Sequence, residues 1–141
     1  MAKITEFTGY AAKGEMPDIP KPKTPPDPMI VNVQDGVPLV YPGCNGLGVR
    51  VVHPCNPKAP AKNMGLVLFY VPPHVVLEPG SHPTEETYFI VEGEAEMTFA
   101  NYKRQVKKGD FIHLPPWCLH GIENTGKDTV VVLIATSPPN P

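Results

Sequence analysis

The chain has 141 residues, enough for one domain of ordinary size with a single buried core. Its 12 Lys and Arg against 14 Asp and Glu leave a formal net charge of −2, without the basic excess that holds a phosphate backbone, which argues against nucleic-acid binding as a main function. No apolar run approaches a membrane span, nothing at the N-terminus reads as a signal peptide, and Cys44, Cys55 and Cys118 lack CxxC spacing, so the expectation is a cytoplasmic protein with reduced thiols.

The first segment in chain order is rich in proline. The 20 prolines are roughly three times average usage, and many fall in 17–29, PDIPKPKTPPDPM. Proline fixes φ and removes a backbone donor, so this stretch is neither helix interior nor central strand. Residues 1–28 are read as an extended arm that lies on the chain's own surface or on a partner's, with Met16, Ile19 and Met29 for apolar grip.

Residues 29–141 are read as one β-domain. Short runs rich in Val, Ile, Phe, Tyr and Thr alternate with turn residues: MIVNVQ at 29–34, PLVY at 38–41, GLGVRVVH at 46–53, GLVLFYV at 65–71, HVVLE at 74–78. Then come ETYFIVE at 86–92, EAEMTFA at 94–100, KRQVK at 103–107, FIHLP from 111, HGIEN at 120–124 and TVVVLIAT at 129–136. No stretch carries a sustained helical period with caps at both ends, and no internal repeat is present. The expected class is an all-β sandwich or barrel.

Two segments carry the chemistry: HPTEETYFIVEGE at 82–94 and GDFIHLPPWCLHGIEN at 109–124. Together they offer His82, Glu86 and His120, two imidazoles and one carboxylate, a set that suits a divalent transition metal with coordination positions left open. In a straight strand, residues four apart stand roughly 13 Å apart at Cα, too far to share one ion. The chain must therefore turn between His82 and Glu86, with Pro83-Thr84-Glu85 as the turn, and His120 must arrive from a distant pair of strands.

The same segments resemble the two signature motifs of the cupin family, G-x5-H-x-H-x3-4-E-x6-G and G-x5-P-x-G-x2-H-x3-N. The chain reads His74-x5-Gly80-x-His82-x3-Glu86-x6-Gly93, then Gly109-x5-Pro115-x-Trp117-x2-His120-x3-Asn124. The spacing is kept with three substitutions: His74 and Trp117 stand at glycine positions, and Gly80 stands at the first metal histidine. The resemblance covers about 65–136. It implies a small single-domain, RmlC-like cupin: a double-stranded β-helix, or jelly-roll barrel, with a metal site inside its wide end, commonly three histidines and a glutamate. Carried over by position, His82, Glu86 and His120 are the metal ligands, and Gly80 leaves a three-ligand site or one that holds metal poorly. The implied ion is Fe(II) by preference, with Mn(II), Zn(II) or Ni(II) as alternatives.

Neighbouring residues have weaker claims. His74, Glu78 and Cys118 are further donors within reach in sequence, while strand alternation sends His113 to the outer face and His53 reads as structural. Glu86, Tyr88 and Arg50 are the candidate catalytic residues: Glu86 or Tyr88 as a base, Arg50 as a fork for a substrate carboxylate. Tyr88 and Trp117 are also candidates for the pocket wall. The functional expectation is a metal-dependent enzyme acting on a small oxygenated or carboxylate substrate. Dioxygenase chemistry is placed ahead of lyase, isomerase or decarboxylase chemistry. The alternative is a non-catalytic module that binds a sugar or other small metabolite. A homodimer is expected, the arm bracing the partner's sheet, because small sheets leave edges to cover and small cupins commonly pair.

Overall fold

The protein is described by a computed structural model over residues 3–6 and 19–139. Much of the expected arm, residues 1–2 and 7–18, lies outside the described residues, and 19–30 is exposed chain without helix or strand. Ten strands follow: β1 (Val37–Leu39), β2 (Leu47–Val52), β3 (Gly65–Val71), β4 (Val76–Gly80), β5 (Glu85–Glu92), β6 (Glu94–Thr98), β7 (Lys103–Lys107), β8 (Phe111–Leu114), β9 (His120–Glu123) and β10 (Val130–Ser137). They form two antiparallel sheets, one ordered β1-β2-β3-β10-β5-β8 and the other β4-β9-β6-β7. This is the jelly-roll architecture expected from the sequence. No helix among the described residues is long and apolar enough to cross a membrane.

Alternation sets the core. Along β3, β5 and β10 every second residue is buried, so Val67, Phe69, Val71, Tyr88, Ile90, Val130, Val132 and Ile134 face the interior from the larger sheet. Ala95, Met97, Val106 and Ile122 meet them from the smaller one. Burying side chains such as Phe69, Ile90 and Met97 contributes about 1.5–3 kcal/mol each, relative to leaving them in water.

The chain changes sheets at turns where the backbone enters the left-handed region. Gly93 (φ 84°) links β5 to β6 and Gly109 (φ 93°) links β7 to β8. Hydrogen bonds tie the two corners together: Lys108 N–H donates to Gly93 O at 2.9 Å and Gly109 N–H to Ile90 O at 2.9 Å. A buried Asn124 closes another junction. Its amide donates to Val71 O at 2.7 Å and Asp128 O at 2.8 Å, while its side-chain oxygen accepts from Gly126 N–H at 2.9 Å.

Two stretches depart from the sequence reading. MIVNVQ is not a strand. Asn32 and Asp35 form a capping box around a 3-10 turn at Val33–Asp35, and those local side-chain bonds displace the β-ladder. β4 also begins later and runs further than expected, through Pro79 to Gly80. A register shift between Leu77 and Gly80 leaves Pro79 unpaired, which is how a proline is accommodated there.

His74 (φ 70°) and Trp117 (φ 68°) are the two non-glycine residues with positive φ among those described. Both occupy glycine positions of the motifs, so the backbone keeps the conformation and the side chain bears its steric cost, roughly 1–2 kcal/mol. Both are exposed. Trp117→Gly and His74→Gly should therefore hold or raise the urea midpoint. Trp117→Val, whose branched Cβ fits left-handed backbone worse, should lower stability by about 1 kcal/mol or more.

Candidate metal centre

The turn required between His82 and Glu86 is present. β4 ends at Gly80, residues 81–84 turn back, and β5 begins at Glu85, so Glu86 lies on the inner face at the start of that strand. His120 opens β9, directly opposite Gly80 across the ladder. The His82 backbone carbonyl accepts from Trp117 N–H at 2.8 Å, which fastens the two donor-bearing loops to each other.

The three side chains meet. One donor atom from each of His82, Glu86 and His120 lies within 4.8 Å of the others. His82 Nε2 stands 3.0 Å from Glu86 Oε1, and His120 Nε2 stands 2.7 Å from the same oxygen. The carboxylate is almost wholly buried, with 3% of its side chain exposed. A buried carboxylate is costly unless it is compensated by positive charge.

The other ring nitrogens decide what can compensate it. His82 Nδ1 is 3.0 Å from Thr84 O and His120 Nδ1 is 2.8 Å from Cys118 O. A carbonyl only accepts, so each Nδ1 carries the hydrogen, and in the neutral rings each Nε2 presents a lone pair. Two imidazole lone pairs and a carboxylate oxygen then converge on one small volume. Such a set is repulsive until a cation stands among them, either a proton on an imidazole or a metal ion. Backbone carbonyls that orient ring N–H groups are also the usual support of metal-binding histidines. The donor set thus fits a divalent metal.

Above the three donors opens a pocket of about 220 Å³, walled in part by Tyr41, Leu77, Tyr88 and Ile134. Tyr88 is buried, with its ring edge-on to His120 at 5.8 Å between centroids. Burial pushes its phenol well above the ordinary value, with help from the charge of Glu86 and from Tyr41 and Cys44. A phenol so held donates a proton or a hydrogen bond; it does not serve as a base. Tyr41 is raised in the same way, chiefly by burial and against the opposing charge of Arg50.

Several sequence candidates fall elsewhere. His74 is exposed and borders a separate surface pocket with Lys107 and Asp128. Glu78 lines the main pocket but is not one of the converging donors. Cys118 contributes its carbonyl to His120, not its thiol. Glu85 points outward to His113, whose Nε2 is 3.0 Å from Glu85 Oε1, so of the two adjacent glutamates Glu86 is the one that turns inward. Trp117 acts through its backbone, and its side chain is 65% exposed. Arg50 is half-buried in β2. The walls Tyr41, Leu77 and Ile134 were not singled out from sequence, since nothing in their local pattern marks them as pocket residues.

The cupin domain model matches residues 67–136, about half the chain and all of both motifs. The chain belongs to the cupin superfamily. Among curated relatives, an uncharacterized protein of Methanocaldococcus jannaschii is 45% identical over 58 residues, 41% of this chain and 46% of that protein. A germin-like protein of Morus alba is 30% identical over 107 residues, 72% of this chain and 44% of that protein. The chain thus spans less than half the length of either relative. Among solved structures, the polyketide cyclase RemF of Streptomyces resistomycificus superposes with a TM-score of 0.69 at 20% identity, covering 79% of this chain and 80% of that one. A predicted oxalate decarboxylase of Thermotoga maritima gives a TM-score of 0.66 at 20% identity, covering 78% and 99%. At such identity the likeness concerns the fold.

Two expectations follow for this cupin site. Burial lowers the His120 pKa, but the hydrogen bond to Glu86, the Cys118 carbonyl and the charge of Glu86 outweigh it and hold the imidazole above its usual value. A raised folded-state pKa means stability that is present below about pH 6.5 and is lost as pH rises through the raised value. In chelator-treated protein the thermal midpoint should therefore fall across that window, and His120→Gln should flatten the change. Added metal should stabilise more as pH rises, since the ligands must be free of protons. The second expectation concerns Gly80, where a Cβ would meet nothing within 4 Å. Gly80→His should fold and bind metal more tightly than the wild type in a competition titration.

Proposed function

We propose that this cupin is a metal-dependent enzyme acting on a small oxygenated or carboxylate substrate, with His82, Glu86 and His120 as the metal ligands. The observation that carries the reading is the convergence of two imidazole lone pairs on a buried carboxylate oxygen. Two histidines and one carboxylate leave open coordination positions. Bound Fe(II) would supply there a place for substrate oxygens and dioxygen, whereas Mn(II), Zn(II) or Ni(II) would polarise a carbonyl or carboxylate. Two histidines and one carboxylate are the donor set of non-haem iron oxygenases, which supports dioxygenase chemistry over the other reactions.

The chain's own residues have distinct tasks in this account. Thr84 and Cys118 carbonyls hold the two imidazoles in the ligating tautomer. Tyr88, kept protonated by burial and by Glu86, donates a hydrogen bond or proton to a substrate oxygen. Leu77 and Ile134 shape the apolar wall, and the pocket volume of about 220 Å³ suits a substrate of few heavy atoms. Glu86 is committed to the metal and is not the base.

A second reading, a binding module without chemistry, draws support from Gly80, which supplies no donor where the motif has a histidine. Purified untagged protein separates the two. The enzyme reading expects about one metal per chain, an affinity loss of more than about 100-fold in His82→Ala and His120→Ala, and oxygen uptake with Fe(II) and a panel of diketones, catechols and hydroxy acids. Well-folded protein that takes up no metal on reconstitution contradicts it. The reading includes a homodimer braced by residues 1–28, supported by the exposed Ile19, Met29 and Ile30. Light scattering should give a dimer that weakens when the arm is removed; a monomer in both forms contradicts the pairing.

A further inference from the structure

The wall of the metal pocket contains a phenol that neither motif supplies. Tyr41 comes from the connection between β1 and β2, where Tyr41-Pro42-Gly43-Cys44 makes a tight turn. Cys44 N–H donates to Tyr41 O at 3.1 Å, and Gly43 has φ 71°. Proline second and glycine third favour such a turn, since proline presets φ and glycine accepts left-handed backbone. Two contacts fix the turn to the barrel. Cys44 is buried in the core, its Sγ accepting from Gly46 N–H at 3.4 Å. The Tyr41 ring meets Phe69 edge-on, 5.3 Å between centroids. Tyr41 is therefore a fixed part of the wall.

The pocket brings together the three converging donors, the phenols of Tyr41 and Tyr88, and a second carboxylate on Glu78. Glu78 is exposed, so it stands at the mouth. Among the described residues no lysine or arginine lines the space; Arg50, whose charge acts on Tyr41, is not one of the walls. Neither phenol oxygen hydrogen-bonds to another protein group among the described residues. Nor is either among the polar atoms sealed away without a partner, so both hydroxyls open on the pocket. Burial raises both above the ordinary phenol value, for Tyr41 against the charge of Arg50, and each keeps a hydrogen to donate. Gly80 adds room: a Cβ there would meet nothing within 4 Å, so the place of the missing histidine is open space.

A ligand must complement these groups. Two protonated phenols call for an acceptor oxygen. A divalent ion beside Glu86 keeps one net positive charge, which a singly charged chelate neutralises. A dicarboxylate exceeds it, and brings the excess past Glu78 with no lysine or arginine to offset it. The room at Gly80 lets the ligand itself supply the donor that the chain lacks. We propose that the pocket selects a small uncharged compound with two neighbouring oxygens, a hydroxyketone or a 1,3-dicarbonyl. Tyr41 is its positioning residue, donating to one of those oxygens, and Glu78 turns dicarboxylates away. The ligand loses at most one proton, to solvent, on binding. Its chelation rests on the metal-centred reading; the selection by Tyr41 and Glu78 does not.

The test uses full-length protein, metal-free and Zn(II)-loaded, with zinc content measured throughout. Acetylacetone, acetoacetate and malonate share one chelating skeleton and carry no, one and two negative charges. Calorimetry gives each Kd, which is compared with the same ligand's affinity for free Zn(II) in that buffer. On this scale affinity should fall from acetylacetone through acetoacetate to malonate. Tyr41→Phe should weaken acetylacetone about three- to tenfold, the loss of one hydrogen bond. Glu78→Gln should tighten malonate roughly twofold or more, leave acetylacetone unchanged, and remove the salt dependence of the discrimination. As an exposed substitution, it carries the test if Tyr41→Phe fails to fold. Gly80→His should weaken acetylacetone while holding zinc more tightly. Malonate bound as well as acetylacetone on this scale, unchanged selectivity in Glu78→Gln, or unchanged acetylacetone affinity in folded Tyr41→Phe would overturn the proposal. Protein that takes up no zinc, yet prefers acetylacetone and loses that preference in Tyr41→Phe, counts against the metal-centred reading alone. No zinc and no binding of any of the three overturns both.

Discussion

A buried carboxylate with two imidazole nitrogens aimed at one of its oxygens is the constraint around which this molecule is arranged. Glu86 is in an environment where an unpaired charge costs several kcal/mol even after relaxation. The imidazoles cannot compensate it while neutral, because the Thr84 and Cys118 carbonyls turn their lone pairs toward it. A positive charge among the three is therefore part of the site's design. Every nearby connection helps keep the donors close: the reversal of chain between β4 and β5, the Trp117 N–H on the His82 carbonyl, and the pairing of Gly80 against His120. The apolar interior of Phe69, Ile90, Met97 and their neighbours supplies the rigid floor.

Much of this was legible in the sequence because a jelly roll is written in a period of two. The alternation in GLVLFYV, ETYFIVE and VVVLIAT identified β3, β5 and β10 within a residue or two at each end. The need for a turn at Pro83 followed from distance alone, and the motif spacing from Glu86 to Gly93 singled out Glu86. The failures were local and had local causes. At 29–34 a capping box outweighed β propensity. At Pro79 a register shift let a strand continue through a residue that normally ends one. His74 and Trp117 were visible as departures from a glycine pattern, but not the left-handed backbone they retain.

What sequence could not show is which side chains from distant strands share a row. Tyr41, Ile134 and Thr136 lie far from both motifs, and only the ladder from β3 through β10 to β5 places Thr136 beside Glu86. Arg50 was a candidate from its chemistry, yet its place in the row of Val67, Ile134 and Tyr88 depends on the ladder register of β2 against β3. A one-residue change in that register would have turned Arg50 to the outer face. Tyr88 shares Arg50's row and lies edge-on to His120.

The central claim is that a metal ion occupies the space among the three converging atoms. X-ray absorption together with anomalous diffraction on protein carrying one equivalent of Fe(II) or Zn(II) examines that space directly. The account predicts a single ordered ion bound by His82 Nε2, His120 Nε2 and a Glu86 oxygen, with its remaining positions filled by light oxygen atoms. An ion bound instead at the exposed His74 or His113, or no ordered ion at all, would contradict it.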